Sequence, residues 1–293
     1  MLTKYRSLNG LGFTTFQKLF NSCVCPILDY GSGVWGSKSF DKIDRIQNRA
    51  IRSFLGVHNF APNLAVQGDM GWTHSSVRRK VNMIRLWNNL VKMNSNRLTK
   101  KVFLWDIANP DKGWAGDVKA IFGEMNMIDS YSNVLCVSVE RSWALLHEAK
   151  CHEWKNSLNN YPKLRTYTGF KADFKTEPYV YTCMNKKYRS VVAQLRSGIL
   201  PLEIETGRWK GTELFNRVCH LCRSGCVEDE AHFLFTCDFY KDERQSFAKE
   251  FPVNLSNLST PEKFTILMQE NNILAFAKYV WKIYEKRKGK LFG

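Results

Sequence analysis

Long apolar runs are missing from this chain. No stretch of 18 or more apolar residues occurs among its 293, so nothing in it has the length of a membrane-spanning helix. The opening Met1-Leu-Thr-Lys-Tyr-Arg-Ser also lacks the apolar core of a signal peptide. An even cysteine count is missing too. Nine cysteines fit no closed set of pairs and point to a reducing, intracellular compartment, not a disulfide scaffold. Stretches of alternating polarity are absent, apart from room for short strands beside a cysteine cluster near the C-terminus. There is no internal repeat and no low-complexity tract. No phosphate loop and no nucleophile beside a base stand out, since Gly31-Ser-Gly33 and Gly113-Trp-Ala-Gly116 read as turns.

Negative charge is scarce. Lysine and arginine number 43 against 27 acids, a formal charge of +16, which calls for a polyanionic partner, most simply nucleic acid, and less simply a membrane surface. The imbalance is local. Arg78, Arg79, Lys80, Arg85, Lys92, Arg97, Lys100 and Lys101 lie in one stretch without a single acid. Val77, Val81, Ile84, Trp87 and Val91 recur there at helical spacing, with Arg78, Arg85 and Lys92 along one stripe. Between Ser39 and Phe54, Phe40, Ile43, Ile46, Ala50 and Phe54 form an apolar face. Lys42, Arg45, Arg49 and Arg52 fall within about 80° of one another on the other side. A third basic set, Lys186, Lys187, Arg189 and Arg196, rides with Tyr188, Val192, Leu195 and Ile199. One such stripe is usually a solvated face. Three on one basic chain favour phosphate contacts, which give affinity without sequence choice.

The cysteine cluster is the most specific signal. Cys219, Cys222, His232 and Cys237 follow a C-x2-C-x9-H-x4-C pattern. Two thiolates from a tight turn, with a histidine and a third thiolate on the returning segment, suit the tetrahedron that structural Zn²⁺ prefers. Four protein ligands leave no position for water, so such a site folds the chain and activates no nucleophile. Cys226 and His220 remain alternative ligands. Glu228, Asp229 and Glu230 suit the first turn of a helix. Phe233, Phe235, Phe239 and Tyr240 supply either a small core or rings for unpaired bases, with Phe239 and Tyr240 expected to be the more exposed.

The spacing predicts a mainly α chain: a helical region over 1–105, a helical linker over 106–185, a zinc-binding module over 186–245 and a helical tail over 246–293. Helices are expected at 39–55, ended by Gly56 in the left-handed region, and at about 75–94, with Gly68-Asp-Met-Gly-Trp72 as a turn between them. Cys23 and Cys25 read as small core residues. Ile273, Phe276, Tyr279, Val280 and Ile283 mark a last helix. It ends in Lys286-Arg-Lys-Gly-Lys290, either a solvated end or a phosphate contact.

Two regions resemble a known family. Cys25-Pro-Ile-Leu-Asp-Tyr-Gly-Ser-Gly-Val-Trp-Gly, followed by Asp44-Arg-Ile-Gln-Asn-Arg-Ala-Ile-Arg-Ser-Phe-Leu-Gly56, is similar to the segment after the palm of non-LTR (LINE-type) retrotransposon reverse transcriptases. Gln194-Leu-Arg-Ser-Gly-Ile-Leu-Pro-Leu, Gly207-Arg-Trp, Cys219-His-Leu-Cys222 and Glu228-Asp-Glu-Ala-His-Phe-Leu-Phe-Thr-Cys237 resemble that family's C-terminal zinc-binding segment. The resemblance implies a thumb-like region, a linker and a CCHC module that grip template RNA and target DNA beside a polymerase palm, in the cytoplasm and nucleus. The family's metal-binding Asp-Asp pair is absent from this sequence, and two-metal phosphoryl transfer has no chemistry without it, so the chain is not expected to polymerise alone. Too few residues follow Cys237 for the nuclease domain some relatives place there. The alternative is a zinc-stabilised, protein-binding adaptor, a domesticated remnant.

Overall fold

The computed structural model describes residues 11–183, 185–251, 255 and 257–292. It is mainly α, as the spacing predicts. Among the described residues there is no strand, only one antiparallel bridge between Val218 and Val227. No helix among them is long and apolar enough to cross a membrane.

The described residues form two compact units. One lies within Met1–Phe16, Asn48–Gly71 and Ser157–Gly293, the other within Gln17–Gln47 and Trp72–Asn156. This replaces the four consecutive segments expected from the sequence. Residues 48–71 join the C-terminal half because polar groups far apart in sequence close on them. Tyr167 donates to the Ala65 carbonyl at 3.1 Å, Ser190 Oγ to Gly56 O at 2.7 Å, and Arg189 Nε to Phe54 O at 2.9 Å.

Helix α1 (Asp41–Leu55) contributes to both units. It stops at Gly56, whose φ of +76° and hydrogen bond to Arg52 O form the expected left-handed end. Its buried face is shifted from the predicted one. Gln47, Asn48, Ala50, Ile51 and Phe54 are buried, while Phe40 and Ile46 are exposed. Helix α2 (Asn63–Met70) runs through Gly68-Asp69-Met70, where a turn was expected, and ends only at Gly71.

In the second unit, α3 (Ser75–Lys92) carries the core. Val77, Val81, Ile84 and Trp87 are buried, as their spacing predicts. The Trp87 ring stacks on Tyr131 at 5.1 Å, meets Phe103 and Phe122 at 5.2 and 5.3 Å, and donates from Nε1 to Leu135 O. Helices α4 (Leu98–Ala108), α5 (Trp114–Glu124) and α6 (Val139–Asn159) follow. Cys25 is buried as expected, but Cys23 is exposed.

The first unit also carries α7 (Lys186–Arg196), α8 (Glu203–Trp209), α9 (Lys241–Glu250), α10 (Thr260–Leu267) and α11 (Ile273–Phe292). The residues predicted to line the last helix, Ile273, Phe276, Tyr279, Val280 and Ile283, are all buried, so α11 is core and not a tail. Its basic end is likewise no free tail. Arg287 is buried and ion-paired with Glu228, and Lys286 donates to Phe239 O and Glu243.

Candidate metal centre

The cluster forms on two arms. Val218 pairs with Val227, Cys219 N donates to Cys226 O and Glu228 N to Arg217 O, each at 2.9 Å. Between these arms the chain reverses through Arg223 (φ +56°) and Gly225 (φ +73°). This places Cys219 on one arm and Cys222 in the turn, at the spacing a CxxC pair requires. The returning chain enters one helical turn, His232–Thr236, whose first amide donates to Asp229 Oδ1 at 2.7 Å. The last ligand, Cys237, is tied to that turn by its own amide on His232 O.

The ligand atoms of Cys219, Cys222, His232 and Cys237 all lie within 4.8 Å of one another, in a group that could hold a metal ion. Cys219 Sγ and Cys237 Sγ are 3.9 Å apart, and Cys222 Sγ is 3.4 Å from His232 Nε2. A tetrahedron with metal–sulfur bonds of about 2.3 Å has sulfur–sulfur edges of about 3.8 Å, so these spacings fit one cation. The Thr236 hydroxyl, 3.1 Å from His232 Nδ1, leaves Nε2 as the nitrogen turned to the sulfurs. Cys226 is exposed and outside the group, and so is His220.

Around the ligands, several buried polar groups are paired within the protein. The contact between the Cys219 and Cys237 sulfurs holds the Cys219 thiol below its usual range. Glu228 is buried against Arg287 Nη1 and Nη2, and also accepts from Glu203 N at 2.8 Å. Burial pushes its carboxyl up to about 7 despite the opposing pull of Arg287. Glu230 accepts from Arg165 and Thr166 at 3.1 Å. Of the three acids expected in a first helical turn, only Asp229 therefore acts as a cap. Phe233 and Tyr240 are fully buried, which corrects the expected exposure of Tyr240; Phe235 and Phe239 are half-buried against Phe264 and Tyr240.

The predicted phosphate contacts divide. Lys42, Arg45, Arg49, Arg85 and Lys92 are exposed. Arg52 is half-buried and spans to Ala61 O and Asn63 Oδ1, closing the loop after α1. Arg78 pairs with Asp29 at 2.9 Å and donates to Gln47 and Thr73 O. Arg189 and Arg196 are corrected outright, because both are buried. Arg189 donates to Phe54 O and Cys183 O with its guanidinium over the Phe54 ring, and Arg196 pairs with Asp69 and Glu177. Within the acid-free run, Arg79 is buried, Lys80 pairs with Glu124, and Lys100 donates to Leu90 O and Val91 O at the end of α3. Comparison with known protein families, curated proteins and solved structures finds no match to this chain.

Proposed function

We propose that the chain is a zinc-stabilised nucleic-acid-binding segment, of the kind found after the palm of non-LTR retrotransposon reverse transcriptases. The observation that carries the metal part is the closed group of Cys219, Cys222, His232 and Cys237. Three thiolates and one imidazole at tetrahedral spacing select Zn²⁺ over harder cations, which prefer oxygen. Bound there, Zn²⁺ supplies folding energy to residues 219–237 and offers no open position for chemistry. The nucleic-acid part rests on the charge of +16 and on the exposed cations Lys42, Arg45, Arg49, Arg85 and Lys92. Those residues would contact phosphates and place RNA or DNA beside a polymerase palm carried on another segment. The test is twofold. Purified protein should hold one Zn²⁺ per chain, and its affinity for an oligonucleotide should fall linearly with the logarithm of salt concentration. A chain without zinc removes the first part, and salt-insensitive or absent binding removes the second.

One observation favours the adaptor reading. On α4, Leu98, Val102 and Trp105 form a stripe at i, i+4 and i+7 that is 56–76% exposed. Such a face fits an apolar protein partner better than a phosphate backbone.

A further inference from the structure

The rings expected to meet bases are largely core, yet two other aromatics beside the metal centre are left in solvent. Trp209, at the end of α8, is 61% exposed, and Phe215 in the loop that follows is 67% exposed. The loop that carries them is braced at every turn. Thr212 N donates to Gly207 O at 2.8 Å, Lys210 N to Thr206 O, Asn216 N to Glu213 O and Arg217 N to Leu214 O. Arg217 reaches back across it, giving Nε to Thr212 O at 2.9 Å and Nη1 to Ile204 O at 3.0 Å. Position 207 must be glycine for that approach, since a Cβ there would sit 2.6 Å from Arg217 Cγ. Arg217 is also the residue whose carbonyl accepts Glu228 N, two positions before the ligand Cys219. The loop is thereby fastened to the metal-binding arm.

Its charge is one-sided. Arg208 and Lys210 flank Trp209 and are exposed, as are His220 and Arg223 on the neighbouring turn, while Glu213 is the exposed acid of the loop. Arg208 leans on Glu205 at 2.8 Å and remains partly in solvent. A fixed loop costs little entropy to order on binding, and exposed rings among cations match unpaired bases strung on a phosphate chain.

We propose that Trp209 and Phe215 are a stacking platform for single-stranded nucleic acid, with Arg208 and Lys210 on its backbone. This rests on the nucleic-acid reading above and names its substrate class. Base stacking tolerates any sequence and is insensitive to counterions, whereas phosphate contacts set the salt slope.

The test uses the full chain, loaded with zinc, against a labelled oligouridine and a duplex of equal length. In the Trp209→Leu, Phe215→Leu double variant, leucine preserves apolar area but removes the rings. Single-strand affinity should fall about five- to a hundredfold, with an unchanged salt slope and unchanged duplex binding. Trp209→Phe keeps a ring and should keep most affinity while reducing the indole quench expected of the parent on titration with oligouridine. Undiminished single-strand binding in the leucine variant overturns the proposal, and so does a quench of undiminished size in Trp209→Phe. Retained binding of an apolar protein partner by the leucine variant, with no single-strand loss, would reassign the patch to protein docking. If the unaltered chain binds neither oligonucleotide, the nucleic-acid reading itself fails, and this inference with it.

Discussion

Arg196 grips Asp69 through two parallel hydrogen bonds of 2.8 Å, Nε to Oδ2 and Nη2 to Oδ1, although 127 positions separate the two residues. Both are buried. Tyr167 and Tyr179 donate to the same carboxylate at 2.9 and 2.7 Å, and Arg196 Nη2 also reaches Glu177 at 3.0 Å, itself paired with Lys171. Two cations thus balance two anions, and Phe170 lies under the guanidinium at 4.6 Å. Buried charge is tolerated only when paired and hydrogen-bonded in this way. The fork geometry needs arginine, because a lysine offers one point charge.

Removing one side of such a pair strands the other. Arg196→Met should lower stability by about 3–5 kcal/mol, and Arg196→Lys should fall between the variant and the parent. Urea unfolding followed by circular dichroism measures both. A neutral Arg196→Met would mean that the charge is solvated in solution.

The same network sets an acid limit. Burial would raise the Asp69 carboxyl, but the charge and hydrogen bond of Arg196, with Lys171 and Tyr179, overcome it and hold the group below its usual range. A carboxyl depressed by folding stabilises above its unfolded value of about 3.9, and that stabilisation is lost as pH falls through the lower folded value. Unfolding free energy should therefore decline more steeply below about pH 4 in the parent than in Asp69→Asn. Parallel acid limbs would contradict this.

The helices at Asp41–Leu55, Ser75–Lys92 and Ile273–Phe292 and the metal group were legible in the sequence; the fate of the cations was not, although the signal was present. Arg189, Val192 and Arg196 stand at i, i+3 and i+7 of α7, on one stripe, and Val192 is buried. Val280, Ile283 and Arg287 repeat this on α11. A cation in phase with core residues lies at the core, whatever its charge suggests, provided acids elsewhere in the chain close on it. Those acids, Asp69 and Glu228, come from distant segments that no local pattern pairs with them. Asp69 was further hidden between Gly68 and Gly71, which read as a turn. Cys226 shows the opposite case. Its spacing allowed it to serve as a ligand, and only the reversal at Arg223 and Gly225 excludes it.

The ligand set itself predicts a pattern of losses. Cys219→Ser, Cys222→Ser and Cys237→Ser should each lose zinc and loosen the region around 215–245, because binding energy at such a site is folding energy. Cys226→Ser should keep one equivalent. Metal content by atomic spectroscopy decides, and zinc lost from Cys226→Ser but kept by Cys222→Ser would give a different ligand set.

Thr236 offers a subtler test of the same centre. Its hydroxyl on His232 Nδ1 fixes the tautomer that presents Nε2 to the metal. Outer partners of this kind are typically worth about ten- to a hundredfold in metal affinity. Thr236→Val should retain zinc as purified but release it to a chelator at correspondingly lower concentration. An unchanged competition curve would show that His232 is oriented by the backbone alone.

The last prediction separates cations that bind phosphate from cations that build the fold. Lys42, Arg45 and Arg49 are exposed on one helix, so replacing all three with Gln leaves the buried face of α1 intact. If each neutralises a phosphate, the slope of log affinity against log salt should drop by about 0.7 to 0.9 per contact, with the urea midpoint unchanged. Arg189 is the control. Its donors are spent on Phe54 O and Cys183 O, so Arg189→Gln should lower the urea midpoint and, in whatever fraction stays folded, leave the salt slope where it was. The two variants thus move different observables. A triple variant with an unaltered slope would return Lys42, Arg45 and Arg49 to the status of a solvated face. A reduced slope in Arg189→Gln would mean that α7 opens to present its buried arginine to nucleic acid.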